Sequence, residues 1–169
     1  MCGRYEVDGQ TAREIEKLVW QEDVKKRQKS LQASGRIAAG DIHPGKVAPI
    51  LSREDGSICC EWQRWGLPGF EGKRVIFNAR CESVLEKPLF RDGILHRRIV
   101  IPAARFYEWN PQKEKNTFCR KDRSLLFMAG FSRRYEDGEH FVILTTVANA
   151  SMEPVHDRMP LILERQEIA

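Results

Sequence analysis

No apolar run long enough to cross a bilayer, about 18 residues, occurs in this sequence, so no segment reads as a membrane span. No apolar stretch follows the N-terminal residues either, which excludes a secretory signal from the reading and leaves a cytoplasmic protein as the expectation. The cysteines Cys2, Cys59, Cys60, Cys81 and Cys119 form no C-x-x-C pair and have no histidine at zinc spacing. An odd number of thiols in a reducing compartment predicts free cysteines, so neither a disulfide framework nor a metal site is expected, and no cofactor is called for. Internal repeats of about 20 to 50 residues are missing, as are low-complexity linkers. What is present is the composition of one globular domain. The 169 residues are 41% hydrophobic and 31% charged, and a chain of this size buries about two thirds of its unfolded surface. A net charge of +4 and a pI near 8.9 permit a nucleic-acid partner without demanding one.

Periodicity gives the elements. Residues 11–32, TAREIEKLVWQEDVKKRQKSLQ, place Ile15, Leu18 and Val19 at helical spacing, and Thr11 with Glu14 fits a capping box. The basic tail of that segment, KKRQK, suits phosphates or simply a solvated helix face. Glycines and a proline mark 34–45 as a loop. Strand-like runs follow: SICCEW (with Ile58, Cys60 and Trp62 on one face), RVIFNA, RRIVIPA, NTFCRK, LLFMAGF and HFVILTTVA. A second short helix is expected in CESVLEKPLF, ending near Pro88. Many strands and few helices predict an α+β domain built on a mostly antiparallel curved sheet or open barrel.

Cys2 follows the initiator methionine directly. If Met1 is removed, the chain begins with an amine and a thiol on adjacent carbons. An α-amine has a pKa of about 7.7–8.0 against about 10.4 for lysine, so near neutrality part of it is already nucleophilic. Such an amine condenses with an aldehyde to an imine, and the neighbouring thiol can then close a five-membered thiazolidine with no translational entropy left to lose. Taken alone, Cys2 reads first as an incidental residue at a frayed end, and an N-terminal nucleophile whose amine is its own base is a further reading.

Four blocks bear on the choice: MCGRY (1–5), FNARCES (77–83), RRIVIPAARFYEW (97–109) and HDRMPLIL (156–163). In this order they strongly resemble the SRAP family, the SOS response-associated peptidase domains that attach covalently to abasic sites in single-stranded DNA. The likeness covers about residues 2 to 163. It implies a single SRAP-like domain over 1–169 that lacks the C-terminal extension usual in the family, and its match is loosest in the loop DIHPGKVAP.

The resemblance also implies roles. Cys2 is the nucleophile. Glu108 moves protons during sugar ring opening and imine formation, and His156 transfers a proton to the sugar oxygen or stabilises the opened form. Asn78 orients the Cys2 amine or the sugar. Arg4, Arg80 and Arg158 grip phosphates, or else pair with nearby carboxylates. Trp65 and Trp109 offer faces for base stacking, or else belong to the core. Thr145 touches phosphate or sugar, or is simply a strand residue. The expected partner is single-stranded DNA containing abasic sites, bound by a monomer that is nucleoid-associated when on DNA. Beside covalent capture stand two further activities: a cysteine peptidase that removes its own Met1, and a non-covalent binder of damaged or modified DNA.

Overall fold

The chain enters through a short strand, β1 (Arg4–Val7), and turns at Asp8 into helix α1 (Gly9–Trp20). The structure, a computed structural model, describes residues 2–20, 39–69 and 74–168. Asp8 is the cap: its Oδ1 accepts the amides of Gln10 and Thr11 at 3.0 and 2.9 Å, and its own amide donates to Thr11 Oγ1 at 3.1 Å. The helix therefore starts two residues before the expected position, with Thr11 on the reciprocal side of the box. The rest of the segment read as helix, including KKRQK, lies outside the described residues. As its spacing predicts, α1 buries Ile15, Leu18 and Val19, which pack on Leu51, Cys60, Leu125 and Phe127.

The strands that follow are β2 (Gly40–Ile42), β3 (Val47–Glu54), β4 (Ser57–Trp65), β5 (Leu67–Pro68), β6 (Val75–Ile76) and β7 (Asn78–Arg80). A 3-10 turn over Val84–Glu86 leads to helix α2 (Pro88–His96), and then come β8 (Arg98–Ala103), β9 (Arg105–Trp109), β10 (Lys115–Phe118), β11 (Leu126–Tyr135), β12 (Gly138–Val147), β13 (Arg158–Pro160) and β14 (Ile162–Leu163). The expected helix ending near Pro88 is replaced by one beginning there. Proline's fixed φ suits a first helical turn, where its missing N–H has no partner to lose. Gly40–Ile42, read as loop, is a strand because β1 gives it an edge to pair with, Tyr5 opposite Ile42.

Five strands close into a barrel. β4, β3, β8, β11 and β12 pair antiparallel in that order, and β12 returns to β4 in parallel, with Phe141 opposite Trp65. The β3–β4 hairpin turns on Asp55 and Gly56, both at positive φ (46° and 81°), the two-residue form whose twist matches its strands. A second sheet, in the order β10–β9–β1–β2, lies beside the barrel. The barrel strands are apolar on both faces. Ala48, Ile50, Ile99, Ile101, Met128, Phe141 and Ile143 share an interior cluster with Cys2, Tyr5, Trp65 and Phe106 from outside these five strands or at their ends. The alternate residues Phe131, Val142 and Leu144 meet Phe90 of α2, with the Phe90 and Phe131 rings 5.5 Å apart. This double burial is why LLFMAGF and HFVILTTVA read as continuous apolar runs rather than alternating ones.

Candidate active site

Cys2 is 1% exposed and sits in the interior cluster, at the end where β1, β7 and β9 meet. β7 runs parallel to β12, with Asn78 opposite Ile143, and this sets Asn78 Nδ2 to donate to the Cys2 carbonyl at 2.8 Å. Asn78 Oδ1 is buried with no hydrogen-bond partner among the described residues. The thiol donates weakly to the Arg4 carbonyl at 3.6 Å. Burial pushes that thiol up to about 12, a backbone hydrogen bond with Arg4 opposes the rise, and the charge of Glu108 adds to it.

Glu108 comes from β9. The β1–β9 register sets Arg4 against Tyr107, the residue before Glu108, and so brings the end of β9 to the end of β1 that follows Cys2. Glu108 is 5% exposed, and its Oε1 accepts the amide of Trp109 at 3.4 Å. His156 ends the turn after β12. Its amide donates to the carbonyl of Met152, itself 1% exposed in the same interior cluster as Cys2, so the turn is docked on that core. Nδ1 of His156 lies 2.9 Å from the Arg158 amide and 2.9 Å from Asp157 Oδ1. Nδ1 accepts from the amide in one tautomer and donates to the carboxylate in the other.

The profile of the family described as SOS response associated peptidase (SRAP) matches residues 1–169. The chain belongs to the SRAP family. The abasic site processing protein YoqW of Bacillus subtilis is 36% identical over 147 residues, which cover 75% of this chain and 66% of that protein. The abasic site processing protein YedK of Escherichia coli is 28% identical along the whole of this chain and 82% of its own. The chain thus spans somewhat less than two thirds of the length of the Bacillus relative. A solved protein from Bacteroides thetaiotaomicron superposes with a TM-score of 0.76 at 23% identity, covering 99% of this chain and 79% of that one. A phage-related protein from Bordetella bronchiseptica gives 0.70 at 23% identity with the same coverage. These two share the fold.

Further residues flank this candidate site on its outer side. Arg4 is half-buried, 3.6 Å from Asp41 on β2, with its guanidinium 5.2 Å over the partly exposed ring of Trp109. Arg80 ends β7 exposed, two residues beyond Asn78, and its guanidinium makes no ion pair among the described residues. Lys115 lies 3.7 Å over the ring of Tyr107, whose hydroxyl donates to Glu6. Burial first, then that bond to Glu6, pushes the Tyr107 hydroxyl up to about 12.

Three expected contact residues lie inside the packing instead. Trp65 is fully buried, its Nε1 donates to the Phe77 carbonyl at 2.9 Å, and Tyr5, Phe77 and Phe141 pack on its ring, so it has no free face for a base. Thr145 is fully buried, with Oγ1 directed at the Ala79 carbonyl and the Arg158 guanidinium. Arg158 is 8% exposed and committed: its two terminal nitrogens each reach Glu82 at 2.8 Å, and one also reaches the Thr145 carbonyl at 2.7 Å. That fork clamps β13 to the β7–β12 region. The same bonds hold the Glu82 carboxyl down at about 2. Charge alone could not separate Arg158 from Arg80, because the difference is the carboxylate that the fold brings to Arg158. Asp41 was missed because its strand was read as loop. Glu82, inside the FNARCES block, carried no signal beyond its charge.

Proposed function

We propose that this SRAP chain captures abasic sites in single-stranded DNA as a covalent thiazolidine at Cys2, after hydrolytic removal of Met1. It acts as a cytoplasmic monomer that joins the nucleoid through the lesion. The neutral α-amine adds to the aldehyde of the ring-opened deoxyribose, water leaves to give the imine, and the thiol adds across C=N to close the ring. Glu108 takes and returns the protons, His156 serves the sugar oxygen, and Asn78 holds the Cys2 backbone so that the amine and thiol converge. Arg4, Arg80 and Trp109 hold the flanking backbone and bases, which confers salt dependence with little base preference.

The supporting observation is the setting of Cys2: buried, fixed through its own carbonyl by Asn78, and within the field of Glu108. The names of the Bacillus and Escherichia relatives point the same way. The thiol's high position weighs against a thiolate-driven cysteine peptidase, which needs its sulfur pushed down instead. Incubating the protein with single-stranded DNA containing an abasic site should give a heat-resistant adduct. Cys2→Ala should give only an imine that needs borohydride to survive denaturation. An equally stable adduct from Cys2→Ala would overturn the thiazolidine.

A further inference from the structure

We propose that Tyr5 is a further catalytic residue of this site, its hydroxyl donating a hydrogen bond to Cys2 Sγ as the sulfur closes on the imine carbon. This rests on the proposed function above. Tyr5 is 0% exposed and shares the interior cluster with Cys2, its ring 5.1 Å from Trp65. Its hydroxyl is buried and has no hydrogen-bond partner among the described residues. Leaving a hydroxyl unpaired in a dry interior costs about 1–3 kcal/mol, and phenylalanine would fill the same volume without that cost. A polar atom kept under these terms has its partner in another state of the site.

Cys2 supplies that partner. In the resting protein the thiol directs its proton to the Arg4 carbonyl, so the sulfur lone pairs remain able to accept. When the sulfur attacks, negative charge develops on it and calls for a donor. Asn78 Nδ2 and Trp65 Nε1 are committed, to the Cys2 and Phe77 carbonyls. Arg4 Nε is buried without a partner as Tyr5 is, but its guanidinium is drawn toward Asp41 and the Trp109 ring, whereas Tyr5 lies in the interior cluster with Cys2. After burial itself, charge on Cys2 is the factor that lifts the Tyr5 hydroxyl well above its ordinary 10, so the two groups feel each other across the interior. In the step, S–H breaks, S–C forms and C=N becomes C–N. The thiol proton passes by way of Glu108 to the nitrogen, and Tyr5 keeps its own proton throughout.

The test is Tyr5→Phe in protein freed of Met1, with an abasic single-stranded oligonucleotide. Borohydride quenching should show imine forming at the wild-type rate, while the heat-stable adduct accumulates about tenfold more slowly at an unchanged or slightly higher Tm. An unchanged closure rate would overturn the assignment. A second readout needs no DNA: the pH profile of Cys2 alkylation, resolved by mass spectrometry, should move to higher pH in Tyr5→Phe. Coincident profiles would reject the role of Tyr5 by themselves. Absence of any stable adduct from wild type would instead reject the thiazolidine reading.

Discussion

Two thiols in this protein sit far above the ordinary range, and both positions are properties of burial. Cys2 and Cys60 are each pushed up to about 12, first by desolvation, with Glu108 adding to the shift at Cys2 and Glu61 at Cys60. A folded-state value above the unfolded one stabilises the fold fully below pH 9, and the contribution is lost as pH rises from there toward 12, because the unfolded chain releases its proton first. Urea unfolding at pH 9 and 10.5 should therefore show Cys60→Ala losing about 1.5 kcal/mol less over that interval than wild type. Equal losses would mean that the thiol is not buried as described. The residues proposed for the reactive centre could be named from the sequence because they stand in ordered blocks that resemble a family. Tyr5 could not, because an unpartnered hydroxyl is a fact about surroundings that no sequence pattern records.

Elements were readable where their signal is local. α1 announced itself through Ile15, Leu18 and Val19, whereas its start was misplaced because both Asp8-x-x-Thr11 and Thr11-x-x-Glu14 satisfy a capping pattern. The fold chooses Asp8, which leaves Glu14 to pair with Lys17 and Arg165. Asp8→Ala should lower stability by about 1 kcal/mol in urea unfolding, while Glu14→Ala should stay within about 0.5 kcal/mol as an exposed pair. The reverse order would restore the Thr11 cap. β2 was lost to a loop reading since three residues carry no period of their own, and only the edge of β1 makes them a strand.

At the scale of the molecule, the decisive event is the parallel return of β12 to β4, which closes the barrel and buries Trp65 against Phe141. No local pattern encodes that pairing, so the α+β class with a curved sheet or open barrel could be read from the sequence but the closure, with the burial of Trp65, Thr145 and Arg158, could not. The two tryptophans separate the roles cleanly. Trp65→Ala should cost about 3–5 kcal/mol of stability by opening a cavity at the barrel end. Trp109→Ala should leave the fold nearly intact and weaken binding to single-stranded DNA about tenfold, as loss of one stacking face and of the Arg4 platform would. Similar thermal losses for both would contradict the DNA-contact role proposed for Trp109.

Covalent capture requires a free amine and thiol at one buried end to meet a sugar aldehyde. Intact-mass and peptide mass spectrometry after exposure to abasic single-stranded DNA tests this most directly. The expected species is the chain without Met1 joined through Cys2 to the DNA, lighter than the two together by one water. An unmodified chain, or an adduct mapped to any other residue, would contradict it.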